Sequence, residues 1–208
     1  ETAAREAICM HGQSLHLRGL VPGSSGNISV RISDGLLVSP TNSCLGRLDP
    51  AAISKIDCAG THVSGDAPSK EAFLHTRMYA RRDTAAAVVH LHCTHAVAVS
   101  CRSGTETDDP IPPITAYYVM KIGKLKVLPY FPPGDEKLAH AVAAVADKHH
   151  AILLANHGPV VAGSSLDSAV YAIEELEEAA RLYLLLKDEP IATLTAAAVR
   201  ELEQRFPN

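Results

Sequence analysis

The pair His90-Leu91-His92 closes a run that is apolar from Ala85 onward, and chemistry first becomes visible there. Side chains at i and i+2 of a strand leave on one face, so both imidazoles can reach a single ion. Alone, such a pair is as readily two core or surface histidines. Two further residues strengthen the metal reading. His157 stands between Asn156 and Gly158, directly after the apolar stretch Ala151 to Ala155, in a tight turn suited to presenting a ring into a cleft. Glu71 opens a helical stretch after a loop, where a carboxylate would complete three nitrogens and one oxygen around a divalent cation. An acidic residue at that position also suits the helix dipole with no ion present.

Three polar loops form a second set: Ser25-Gly26-Asn27, Ser39-Pro40-Thr41-Asn42-Ser43, and Ser69-Lys70 at a helix start. Small residues let backbone N–H groups approach an anion, hydroxyls donate, and Lys70 adds a point charge, so together they suit a phosphate. Singly, each is ordinary turn chemistry.

These groups need elements to hold them. Helical spacing over Ala3 to Arg18 ends at Gly19, and Ile28 to Ile32 alternates strictly before a Ser33-Asp34-Gly35 turn and the apolar Leu36 to Val38, a hairpin signature. Asp49-Pro50 opens a helical turn, and His62 to Ser64 is a weak strand. Ser69 is an N-cap candidate for a helix to about Arg82, on which His75 shares the face of Glu71. Ala85 to Leu91 reads as a buried strand and Thr94 to Ser100 as a helix carrying His95. Asp108 to Pro133 reads as loops around short strands near Tyr117 and Val127. A helix over Asp135 to His149 follows, with His149-His150 solvated, then strands Ala151 to Ala155 and Val160 to Val161. Helices over Leu166 to Lys187 and Thr195 to Arg205 complete the chain.

Length and composition narrow the field. At 208 residues, 47% apolar and 20% charged, the chain is that of one ordinary globular domain over residues 1–208. A formal charge of −4 with no basic run offers nucleic acid no footprint, and no apolar window is long enough for a membrane span. Five cysteines (Cys9, Cys44, Cys58, Cys93, Cys101) at irregular spacing suit reduced thiols and a cytoplasmic location.

The residues also carry a resemblance. Ser25-Gly26-Asn27-Ile28-Ser29, Ser39-Pro40-Thr41, Pro68-Ser69-Lys70-Glu71, Val89-His90-Leu91-His92 and Asn156-His157-Gly158 occur in the order and spacing of the class II aldolase/adducin family, over about residues 3 to 187. The resemblance implies a single-domain three-layer α/β/α sandwich with a mixed, largely antiparallel central sheet. It implies that Glu71, His90, His92 and His157 hold one divalent metal, zinc in most of the family, and that Glu71 is the acid/base. Gly26, Asn27, Thr41, Asn42, Ser69 and Lys70 would hold a substrate phosphate. Members resembling fuculose-phosphate aldolase carry Gly where Asn42 stands and Ser where Lys70 stands. Tyr117, with Tyr118 as the other candidate, would be a second proton donor. A homotetramer with sites near subunit boundaries is also implied.

Longer stretches, among them Val63 to Glu71, Leu91 to Ala98, Tyr117 to Lys121 and Leu154 to Gly163, are similar to the branch that decarboxylates 3-oxo-tetronate 4-phosphates in sugar-acid catabolism. That substrate has its C3 ketone β to the carboxylate, so loss of carbon dioxide leaves an enediolate of dihydroxyacetone phosphate. An aldolase cleaving a ketose 1-phosphate such as fuculose phosphate reaches the same enediolate from a different bond, and is the alternative lyase. A non-catalytic, adducin-like assembly domain is the third reading, and convergence of Glu71, His90, His92 and His157 argues against it.

Overall fold

The computed structural model describes residues 1–104, 108–132 and 134–207. Among these the strands are β1 Asn27–Ile32, β2 Gly35–Val38, β3 Ser54–Asp57, β4 His62–Ser64, β5 Ala87–His90, β6 Lys126–Leu128, β7 Ala151–Leu154 and β8 Gly158–Gly163. The helices are α1 Thr2–Leu17, α2 Ala72–Arg81, α3 Thr94–Ser100, α4 Ala116–Lys121, α5 Glu136–Val145, α6 Leu166–Leu185 and α7 Ala196–Arg205. One sheet takes the order β4-β3-β2-β1-β5-β8-β7-β6, antiparallel throughout except between β6 and β7.

Alternation along the strands builds two apolar layers. Ile28, Leu37, Ala87, Val89, Leu153 and Val161 face a core shared with α1, α3, α4 and α6. Leu36, Val88, Ile152, Leu154, Val160 and Ala162 face the other way, against Leu74 and Met78 of α2 and Leu138 and Val142 of α5. The result is the expected helix–sheet–helix sandwich.

The structure departs from the sequence expectations in four places. Ser54–Asp57, unassigned from sequence, is β3, pairing Leu36 of β2 with Ile56. The strand expected near Tyr117 is instead α4: Thr115 caps it by accepting from the Tyr118 N–H at 3.1 Å, while Tyr118 and Val119 turn into the core. Helix α2 begins at Ala72, not after Ser69, because the Ser69 hydroxyl accepts the Glu71 N–H in the preceding turn. His150, expected in solvent, is largely buried, with Nδ1 and Nε2 each 3.1 Å from a carbonyl oxygen, of Ala162 and Ile122. Pro133, at the end of the expected loop region, lies outside the described residues.

Candidate metal centre

The central strand β5 decides where the site lies. Its neighbours β1 and β8 both run antiparallel to it, with Asn27 opposite His90 on one side and Val160 opposite His90 on the other. The beginnings of β1 and β8 therefore meet the end of β5, bringing Asn27, His90, His92 and the β7–β8 turn with His157 to one edge of the sheet. Two glycines permit this approach. Gly26 (φ 74°) would place a Cβ 2.9 Å from the His90 carbonyl oxygen, and Gly158 (φ 155°) would drive one into that of Leu91.

The imidazoles converge on one another. Nε2 of His90 lies 3.1 Å from Nε2 of His92 and 3.4 Å from Nε2 of His157, and the ring centroids are 4.8 to 4.9 Å apart in steep edge arrangements. Glu71 completes the set, with Oε2 3.4 Å from His90 Nε2 and Oε1 3.3 Å from His157 Nε2. All four ligand atoms lie within 4.8 Å of one another.

The surroundings select the metal-binding forms. His90 Nδ1 donates to the Pro159 carbonyl oxygen at 2.8 Å, which leaves the Nε2 lone pair aimed at the cluster. Burial, reinforced by the neighbouring rings against the opposing pull of Glu71, brings His90 down to about 3 and lowers His92 as well, so both are neutral near pH 7. Burial alone would raise the Glu71 carboxyl. The hydrogen bond donated by Asn27 Nδ2 favours the carboxylate, and the contacts with His157 and His90 lower the Glu71 carboxyl further whenever one of those rings carries a proton. Several lone pairs and an anionic oxygen thus face one small volume, and Glu71 Oε1 is buried without a hydrogen-bond partner. Such a set is repulsive until a cation fills it, and three nitrogens with one oxygen suit a divalent ion of the zinc kind. Glu71, His90, His92 and His157 therefore fit a metal.

The polar loops lie side by side at the same end. The Ile28 N–H donates to the Ser39 hydroxyl, the Thr41 N–H to the Ala67 carbonyl oxygen, and the Ser69 N–H to the Ser39 carbonyl oxygen, with Pro40 bridging Pro68. Gly26, Asn27, Thr41, Asn42, Ser69 and Lys70 are thereby carried on three adjacent loops. Asn42 takes a left-handed backbone (φ 55°), and both it and Lys70 are exposed. The Asn27 side chain is engaged inward: its Nδ2 donates to Glu71 Oε2 at 2.8 Å and its Oδ1 faces His75 Nε2.

Tyr117 is placed elsewhere within the chain. It is 61% exposed on α4 and lines a cavity of about 520 Å³ with Arg18, Leu20, Lys121, Tyr171 and glutamates of α6, a lining that includes none of the four ligands. Tyr118 is buried with its hydroxyl unpaired, and burial raises its phenol. Sequence reasoning did not single out Glu177. From α6 its buried carboxylate accepts the N–H groups of His95 and Ala96 at 2.9 and 2.8 Å, and it meets His95 Nδ1 at 2.7 Å. It fixes the segment leaving His92, and its only sequence signal is one acid within an apolar helix stripe.

A sheet that gathers three imidazoles and one carboxylate at its edge, beside stitched polar loops, has counterparts among known proteins. Residues 6–184 match the model of the class II aldolase and adducin N-terminal domain, and the chain belongs to this family. It is 46% identical over 210 residues to a 3-oxo-tetronate 4-phosphate decarboxylase of Cupriavidus necator, covering 99% of this chain and 97% of that one. It is 34% identical over 192 residues to an L-fuculose phosphate aldolase of Escherichia coli O6:H1, covering 90% and 86%. In structure it is similar to YgbL of Escherichia coli, with a TM-score of 0.95, 44% identity and coverage of 97% and 98%.

Proposed function

We propose that this chain is a metal-dependent carbon–carbon lyase that decarboxylates 3-oxo-tetronate 4-phosphate to dihydroxyacetone phosphate and carbon dioxide. The observation that carries the reading is the convergence of Glu71, His90, His92 and His157 within 4.8 Å. The near full-length likeness to a named decarboxylase, at 46% against 34% for an aldolase, directs it to this substrate.

His90, His92, His157 and, before substrate arrives, Glu71 would hold the ion, zinc by our reading, one per chain. When bound, such an ion supplies a Lewis acid that draws off the charge developing as carbon dioxide leaves. The remaining steps fall to the protein. The loops carrying Gly26, Asn27, Thr41, Asn42, Ser69 and Lys70 would anchor the phosphate and so fix where C2 lies. Loss of carbon dioxide leaves C2 needing one proton; Glu71, ionised at rest, would take that proton from solvent and pass it to C2, returning to the carboxylate. Its Oε2 is held by Asn27 while its buried Oε1 has no hydrogen-bond partner of its own. Tyr117, the proposed second donor, faces its own cavity and would have to reach a site on another copy of the chain. This fits a homotetramer with sites near subunit boundaries, which light scattering tests: a monomer mass would remove Tyr117 from the mechanism. We further propose that residues 1–208 work as one domain, in the cytoplasm.

The deciding assay incubates purified protein with 3-oxo-tetronate 4-phosphate, with and without a chelator, and follows both products. Equimolar, chelator-sensitive carbon dioxide and dihydroxyacetone phosphate are expected. No carbon dioxide from metal-bearing protein would overturn the reading in favour of aldol cleavage of a ketose 1-phosphate.

A further inference from the structure

Behind Glu71 runs a line of polar groups, of which the proposed reaction uses only the first, Asn27. On β1, Asn27 and Ser29 are two residues apart and share a face; on α2 and its N-cap, Glu71, His75 and Tyr79 are spaced by four and share a face. The two faces close on each other like a zip. Asn27 Nδ2 donates to Glu71 Oε2 at 2.8 Å, His75 Nε2 meets Asn27 Oδ1, His75 Nδ1 lies 2.6 Å from Ser29 Oγ, and Tyr79 Oη lies 2.9 Å from the same Oγ. His75 is fully buried, as is Ser29, and Tyr79 and Asn27 nearly so.

The chemistry of the end groups leaves one direction for the hydrogens that join Glu71, Asn27, His75 and Ser29. Ionised Glu71 only accepts, so Asn27 turns its amide N–H to it and its carbonyl oxygen to His75. That oxygen also only accepts, so His75 Nε2 carries the ring proton. Burial holds His75 down to about 4, neutral in the working range, and Nδ1 is therefore a lone pair. Ser29 then gives its hydrogen to Nδ1, and the Tyr79 hydroxyl turns to Ser29, whose Oγ and carbonyl oxygen are 2.9 and 3.0 Å away. From Ser29 through His75 to Asn27, each dipole points toward the carboxylate.

We propose that His75, aligned by Ser29 and Tyr79, is a positioning residue that sets the polarity of Asn27 and so determines which Glu71 oxygen is tied down and which is available for proton transfer. Without the Nε2–H, the Asn27 carboxamide is free to invert, presenting an oxygen to Glu71 Oε2 and repelling it from its place. The inference rests on Glu71 as the acid/base of the proposed lyase, yet the hydrogen positions can be read independently of any substrate.

Neutron diffraction from deuterated crystals of the wild-type protein reads them directly. Deuterium on His75 Nε2 and none on Nδ1, with the Asn27 amide nitrogen toward Glu71, is expected. Deuterium on Nδ1 overturns the proposal whatever the substrate proves to be. The functional arm measures kcat per bound metal on 3-oxo-tetronate 4-phosphate for His75→Leu and His75→Gln. Leu should lower kcat about 10- to 100-fold with KM and metal content little changed, and Gln, which returns an N–H near the Nε2 position, should recover most of it. Wild-type kcat in His75→Leu, or equal losses in both variants, overturns the proposal. Should His75→Leu fail to fold, the deuterium positions in the wild-type chain still decide. A wild-type protein without decarboxylase activity sinks the substrate assignment and leaves the relay to the neutron result.

Discussion

His90 and His157 are positioned by backbone ladders, whereas Glu71, in the same cluster, is positioned by side chains. His90 ends β5, which is paired on both edges, and His157 occupies the turn joining two paired strands. Glu71 sits ahead of the first turn of α2, and its carboxylate is held from behind by Asn27, whose own amide oxygen meets His75. Ladder bonds tolerate side-chain replacement, so His90 and His157, with His92 two residues past the end of β5, form the more rigid part of the site. The carboxylate is the adjustable part, which suits the two tasks proposed for Glu71, meeting an ion and moving a proton.

The sharpest way to break this division is at the rigid side. His92→Ala should abolish metal binding and turnover together, read by metal analysis and product formation. Glu71→Gln comes next: it should retain most of the metal while lowering turnover about 10²- to 10⁴-fold, and normal turnover would remove Glu71 as the acid/base. Gly158→Ala tests the ladders themselves. A left-handed glycine against the Leu91 carbonyl has no room for a methyl, so a loss of about 1–3 kcal/mol in unfolding experiments and weaker metal binding are expected. Lys70→Ala should raise KM by about tenfold through a lost charged contact while leaving metal content unchanged. An unchanged KM would remove it from phosphate binding.

Acid separates the two regions as well. His75 titrates near 6.5 when unfolded but near 4 in the folded chain, because burial disfavours its cation. Above pH 6.5 neither state takes up the proton and stability is unaffected. As pH falls from 6.5 toward 4 only the unfolded chain binds it, so stability drops, by about 3 kcal/mol at pH 4. Chemical unfolding of wild type and His75→Gln across that range should show a shallower decline in the variant.

The same contrast explains what sequence revealed. His90, His92 and His157 stood out because strand periodicity and a tight turn are local patterns, and Glu71 because it follows a loop and opens a helix. The sandwich followed from apolar runs long enough to show a period. Ser54–Asp57 carries only one buried apolar residue, Ile56, and its pairing with β2 is a tertiary fact. Tyr117-Tyr118-Val119 has strand composition, and the Thr115 cap with burial of Tyr118 makes it a helix. The relay behind Glu71 is written in two periods, two on β1 and four on α2, and only the docking of one element on the other joins them.

Asn27, His90 and Val160 occupy one row across β1, β5 and β8, and the candidate ligand set draws on positions 71, 90, 92 and 157, spread over much of the chain. No fragment of two neighbouring strands contains all four. An ion held by this set would therefore recognise only the fully assembled sheet, its affinity linked to the global folding equilibrium and not to any local hairpin. Saturating metal should raise the temperature of the whole cooperative transition, and chelation should lower it by the same linkage, which would make the proposed centre a reporter of completed folding as well as a site of catalysis.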